Sequence, residues 1–167
     1  IDGIVSNRQF LSAVLENGSF RSGDLTTGFI DAEFEGDFVA GSPSNAAAAR
    51  LVALGTAIVA LQMEERHASD PDNGFVVISQ DGNRRMVELG DVAKHSAKLT
   101  VDGKGFTLLG VLQAPVYLFD GTINEEPVAV QIRHTGHKVV LTHGAARLAL
   151  TVLPARFEPM LDHMPVA

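Results

Sequence analysis

The sequence predicts an α+β fold in which a long central helix is wrapped by an antiparallel β-barrel of about eight strands and preceded by a short, mostly helical segment. Three observations lead there. From Ala46 to Met63 apolar residues cover every side of a helical pattern, interrupted mainly by Arg50, Thr56 and Gln62, so the helix has no solvent face and must be enclosed by protein. From 75 to 153 the rhythm changes to short β-branched runs separated by turn pairs. Adjacent hairpins beside one all-apolar helix suggest a sheet curled around it, and closing that sheet also removes its exposed edges.

The elements follow in order. In residues 1–40, Asn7 can cap a helix in which Phe10, Leu11, Val14 and Leu15 recur at helical spacing, with Gly18 as its exit. Asp24 to Ile30 reads as an irregular link to a short second element. Phe10, Phe20, Phe29, Phe34 and Phe38 are too many aromatics for an exposed tail, which predicts that they pack against this chain or a surface beyond it. After Gly36 to Gly41, Ser42 is the expected N-cap of the long helix, with Pro43 in its first turn. Burying Leu51, Val52, Leu54, Ile58, Val59 and Leu61 would contribute roughly 1.5–3 kcal/mol each before chain entropy is charged. Glu64, Glu65, Arg66 and His67 mark where the helix reaches solvent, giving a helix over about Ser44 to His67.

The expected strands are Phe75–Ser79, Arg84–Leu89, Ala93–Val101, Lys104–Leu112, Val116–Asp120, Pro127–His134, Lys138–Thr142 and Ala146–Leu153. Turn pairs at Asp81-Gly82, Asp102-Gly103, Asp120-Gly121, Thr135-Gly136 and His143-Gly144 separate several of them. Val128, Val130 and Ile132 should face inward, with Gln131 and Arg133 outward. Leu148, Leu150 and Val152 alternate in the same way against Ala149 and Thr151. Pro154 to Ala167 returns to helical spacing through Phe157, Met160 and Leu161, and Met164-Pro165 ends it.

Composition narrows the function classes. The chain is 46% hydrophobic and 20% charged, with a net charge of −7, as expected of a folded globular chain. No basic stripe is available for nucleic acid. With no cysteine there is neither a disulfide framework nor a thiolate metal site, which fits a reducing cytoplasm. The start at Ile1 rather than Met suggests a segment of a longer protein, and no signal peptide is visible. Leu51 to Leu61 is too short to cross a bilayer, so no membrane partner is expected.

Each cluster that could carry chemistry has a plainer reading. His134-Thr135-Gly136-His137 could set two imidazoles opposite each other across a hairpin, but no third ligand lies near in sequence, and solvent-exposed histidines at a hairpin tip fit better. Glu125-Glu126 before Pro127 reads as a solvated loop pair rather than an acid and base. Asp102-Gly103-Lys104-Gly105 opens no helix, so it is a hairpin and not a phosphate loop. Arg84-Arg85 should send its two side chains to opposite faces. No catalytic, cofactor-binding or metal-binding residue is assigned.

The first zone resembles the α subunit of biotin-dependent acyl-CoA carboxylases, especially the propionyl-CoA carboxylase type. The resemblance rests on Ser6-Asn7-Arg8-Gln9-Phe10-Leu11 and on Phe20-Arg21-Ser22-Gly23-Asp24-Leu25-Thr26-Thr27-Gly28-Phe29-Ile30, which look like the close of a biotin carboxylase domain. Gly36-Asp37-Phe38 and the Ala-rich helix ending in Gln62-Met63-Glu64-Glu65-Arg66-His67 are similar to the start of that family's barrel domain. Leu153-Pro154 through Met164-Pro165 looks like its exit toward the biotin carrier. The resemblance implies two parts: residues 1–40 as the end of the biotin carboxylase domain with its linker, and 41–167 as the BT (subunit-interaction) domain.

It further implies contact with the carboxyltransferase β subunit, and with the biotin carboxylase and biotin carrier domains of the same chain, in the cytoplasm. The family's docking hook between helix and first strand corresponds here to Ala68, Ser69, Asp70, Pro71, Asp72, Asn73 and Gly74, shorter than in typical members. Biotin, ATP and Mg would serve the parent enzyme. The Ala-Met-Lys-Met biotin acceptor is missing, since none of Lys94, Lys98, Lys104 or Lys138 is flanked by Met. A competing reading is a small-ligand β-barrel with no carboxylase partner, against which an all-apolar helix filling the lumen argues.

Overall fold

The computed structural model describes residues 10–11, 14–15, 17–24, 26–33, 43–66, 74–112 and 116–161; of residues 31, 33 and 64–66 only the backbone is described. Phe10, Leu11, Val14 and Leu15 are helical; two short helices follow, α1 (Gly18–Ser22) and α2 (Phe29–Glu33), then the long helix α3 (Asn45–Arg66). Eight strands follow: β1 (Gly74–Ser79), β2 (Arg84–Ala93), β3 (Ser96–Val101), β4 (Lys104–Gly110), β5 (Leu118–Ile123), β6 (Glu126–Thr135), β7 (Lys138–His143) and β8 (Ala146–Pro154). A 3-10 turn (Ala155–Phe157) and α4 (Glu158–Leu161) end the described chain.

The expected helix through Phe10, Leu11, Val14 and Leu15 is present at each of those residues, but the chain leaves it by Asn17, and Gly18 begins α1 rather than serving as the exit. Asn17 caps α1, its Oδ1 accepting from the Ser19 N–H at 2.8 Å, and Gly23 closes α1 in the left-handed region. Phe29 is buried and its ring lies 6.3 Å from that of Phe20, so these two aromatics do pack on the chain itself. Of the apolar residues at helical spacing, Val14 is buried and Leu11 and Leu15 are exposed. Asn7, Phe34, Phe38 and Ser42 lie outside the described residues.

The N-cap of α3 is Ser44, two residues later than expected. Its carbonyl accepts from Ala48 N–H at 2.7 Å and its Oγ from Ala47 N–H at 3.4 Å, leaving Pro43 ahead of the cap. The described helix has no apolar face distinct from a polar one. By length and composition Asn45–Met63 could span a bilayer, which corrects the estimate taken over Leu51 to Leu61. Its apolar surface is instead spent on the barrel, and 61% of the stretch is buried.

All eight strands pair with their sequence neighbours, and β1 also pairs with β8, closing the barrel. The helix lies inside, against β1–β4, β7 and β8. Leu54 and Ile58 have no exposure and Leu61 only 8%. Toward β5 and β6 the lumen is filled by Phe119, Ile123, Val130 and Ile132, in one continuous core with the helix. Gly55 sets how closely helix and wall approach: a Cβ there would stand 3.0–3.2 Å from side-chain atoms of Val139, Leu150 and Leu141. The buried hydroxyl of Thr56 is satisfied within the helix, donating to the Val52 carbonyl at 2.8 Å.

The strand periodicity holds, with Val130, Ile132, Leu150 and Val152 buried inside and Gln131 and Arg133 exposed outside. Two turns without glycine were missed, Lys94-His95 and Asn124-Glu125. The first splits the expected Ala93–Val101 run; the second lies beyond Asp120-Gly121, which is mid-strand rather than a turn. Gly121 is needed for close approach instead, because a Cβ there would collide with the Leu109 carbonyl oxygen. Asn124 (φ 51°) and Glu125 (φ 68°) have the doubly left-handed backbone of a tight hairpin, as do Asp102 (φ 50°) and Gly103 (φ 80°).

Candidate functional site

The antiparallel order divides the turns between two mouths. At the mouth holding the N-terminus of α3 lie the turns after β1, β3, β5 and β7. At the other lie those after β2, β4 and β6, and the 3-10 turn after β8.

The N-terminal mouth is tied to the helix by polar bonds. Arg85, on the inward face of β2, donates to Asn45 Oδ1 at 3.1 Å and to the Asp102 carboxylate at 3.1 Å. Asp102 also accepts from the Met86 N–H at 3.1 Å. Arg84 points outward and is exposed, so the two arginines part as expected. Arg50 pairs with Glu126. Glu126 opens β6 rather than lying in the loop, and its side chain, though paired with Arg50, is solvated as expected, while Glu125 stays in the exposed turn. In the β1–β2 turn, Asp81 accepts from Ser79 Oγ and from Asn83 Nδ2, at 2.5 Å for the latter. The Ser79 hydroxyl, before the backbone and side-chain donors of Asn83, holds the Asp81 carboxyl below its ordinary pKa. A half-open groove of about 480 Å³ lies between this turn, the first turns of α3 and the start of β8, with Arg85 and Arg147 on its walls. The Asp81 carboxylate shares that groove and Asp102 already neutralises Arg85, so the groove carries no net positive charge.

The C-terminal mouth has a different surface. Gly74, the last of the seven predicted docking residues, is the first residue of β1, and a Cβ on it would stand 3.2 Å from Ala155 Cβ. Residues 68–73 lie outside the described residues. Near this mouth Val111 (51% exposed) and Tyr117 (76%) flank the β4–β5 connection, and Leu118 (54%) opens β5 on its outer face.

The histidine reading does not survive the register. His134 pairs with Val139, not His137, because the turn is Gly136-His137 and Thr135 pairs with Lys138. His143 Nδ1 is 3.0 Å from the Ala129 carbonyl, across the β6–β7 ladder. Among the described residues no three His, Asp or Glu side chains gather as metal ligands. Of the four lysines, Lys94 sits in a turn and Lys98, Lys104 and Lys138 on strands. The lumen is filled by the chain's own helix, and of the two cavities described one is the groove at the N-terminal mouth and the other a shallow depression of about 420 Å³ along β3 and β4.

Sequence reasoning missed both the Arg85–Asp102–Asn45 and Arg50–Glu126 bonds. Arg50 and Glu126 stand 76 residues apart, and no local signal links them. Searched against known proteins, residues 45–166 match the family model described as propionyl-coenzyme A carboxylase BT domain. No curated protein matches the chain.

Proposed function

Because the chain belongs to the propionyl-coenzyme A carboxylase BT domain family, we propose that it is the non-catalytic docking and linking part of an ATP- and biotin-dependent acyl-CoA carboxylase α subunit. In this reading it joins the biotin carboxylase and biotin carrier domains of its own chain and binds the carboxyltransferase β subunit, in the cytoplasm. Residues 1–40 close the carboxylase domain and 41–167 form the docking domain. Biotin, ATP and magnesium belong to the neighbouring domains, and no step of the carboxylation is assigned to this chain. Its contribution is geometric: holding two active sites in one assembly raises the effective concentration at which a tethered biotin meets each of them.

The observation that carries the reading is the filled lumen. A barrel whose interior is taken by its own helix has mouths and outer walls left for recognition, and this one exposes apolar side chains at the mouth where α3 leaves. The segment Ala68 to Gly74 is the proposed hook, with the loops beside it supplying the apolar anchors that it lacks. Pro71 stiffens it and Gly74 leads it into β1.

The test is exchange of Asp70 to Gly74 for a Gly/Ser linker, followed by affinity for the β subunit encoded alongside and by thermal melting. Weaker association at unchanged melting temperature is the expected result. Unchanged affinity would move the docking surface elsewhere on the barrel, and no association of the unaltered chain would sink the docking function itself.

A further inference from the structure

The outward positions of β6, β7 and β8 carry Arg133, Lys138 and Arg147 and not one Asp or Glu, in a chain whose net charge is −7. The register joins these positions into a continuous grid. Arg147 lies across from Thr142, which lies across from Gln131, which lies across from Leu118 of β5. One row away, Arg133, Val140 and Ala149 line up in the same way. Between the cations the wall is thus made of Gln131, Val140, Thr142 and Ala149.

Among the described residues none of the three cations forms an ion pair. Elsewhere Arg50 of the helix pairs with Glu126 and Arg85 of β2 with Asp102, while Lys98 of β3 and Lys104 of β4 are, like these three, outside any ion pair among the described residues. Surfaces that only face water intersperse both signs, and clustered like charges repel. The wall also has an apolar border: Leu118, with Leu109 of β4 (52% exposed), Val111 and Tyr117 beyond it. The outward positions of β6–β8 hold no carboxylate, and the border holds one, Asp120, across from Ala129; exposed Arg and Tyr side chains beside an apolar strip have the composition of an interface.

We propose that this wall, from the β4–β5 border to Arg147, is a docking surface for an acidic patch with an apolar edge on the β subunit. The proposal rests on the docking function above and adds a second contact beyond the hook. Charge complementarity selects the occupant. A second copy meeting this wall through a two-fold axis would set the three cations against themselves, whereas an acidic protein surface neutralises them and covers the apolar border.

The experiment measures affinity of the whole 167-residue chain for the β subunit at low and high salt. It compares the unaltered chain, Arg133→Glu with Arg147→Glu, Leu118→Ser with Tyr117→Ser, and Lys98→Glu on the outer face of β3 as a control. The double reversal should weaken binding by roughly tenfold or more and flatten its salt dependence, and the control should stay within about twofold. Melting curves check each fold, and Arg133→Gln with Arg147→Gln replaces the reversal if that variant melts early. If the unaltered chain fails to bind, the docking function fails. If it binds and the wall variants bind equally well, only this wall is refuted. Capture of the unaltered chain, but not the reversed one, by phosphatidylserine vesicles with β-subunit affinity unchanged would also refute it, in favour of an anionic membrane.

Discussion

The two mouths of the barrel are built from the same strands and treat their side chains oppositely. At the N-terminal mouth, turn and strand residues are spent on the helix: Ser44 caps it, Arg85 holds Asn45 and Asp102, and Glu126 holds Arg50. At the C-terminal mouth, Val111 and Tyr117 are held out to solvent, beside the point where β1 begins. The difference teaches where a filled barrel can afford recognition. One end fixes the helix in register with the wall, which frees the other end and the outer face to be shaped for a partner.

The largest expected effect lies between the mouths, in the core that both depend on. Leu54→Asp places an unpaired carboxylate at a fully buried position, and a domain of this kind has only about 5–15 kcal/mol of stability in total. The variant should fail to fold, seen as loss of a cooperative thermal transition; a melt close to that of the unaltered chain would mean that the helix is not inside the barrel. Next comes the wall itself. Gly121→Ala brings a methyl group against the Leu109 carbonyl and the Phe119 ring, so roughly 1–3 kcal/mol should be lost in urea unfolding. A variant as stable as the parent would show that β4 and β5 do not approach so closely.

Much of this body was legible in the sequence. Val128, Val130 and Ile132 alternate with polar residues because one face of each strand is buried, and that periodicity is local information. The all-apolar helix likewise announces its enclosure. What was misread depends on partners far along the chain. Asp120-Gly121 looks like a turn, but Gly121 is required by a neighbouring strand's backbone, whereas Asn124-Glu125 adopts the tight turn without any glycine. Ser42 and Ser44 are equally good caps by chemistry, and only the structure distinguishes them. The cationic wall was hidden for the same reason: Arg133, Lys138 and Arg147 become neighbours only through the β6–β7–β8 register.

Smaller effects separate the two mouths. Arg50→Ala, at the N-terminal mouth, should cost about 1 kcal/mol, because its pair with Glu126 is partly exposed. Tyr117→Ser, at the other, should stay within about 0.5 kcal/mol. Equal losses, measured by chemical denaturation, would erase the distinction between a mouth that stabilises and one that is available. The smallest effect is one of pH. The Asp81 carboxyl has its pKa lowered in the folded chain, so its contribution is present above the ordinary carboxylate value and lost as pH falls through the lowered one. Asp81→Ala should therefore lower stability slightly at neutral pH, where the contribution is present, and converge with the unaltered chain as pH falls through the lowered value, giving a flatter acid limb. An unaltered acid limb of the stability curve would show that the turn's bonds are not coupled to folding.

The account's central claim is that the C-terminal mouth and the outer wall meet the partner, and that the helix-anchoring turns after β1 and β3 at the N-terminal mouth do not. Amide hydrogen exchange of the chain with and without the β subunit tests it most directly. The account predicts added protection in 68–74 and in the connection from Val111 to Tyr117, with Gln80–Asn83 and Asp102–Gly103 exchanging as before. Protection confined to those two turns at the N-terminal mouth would contradict it.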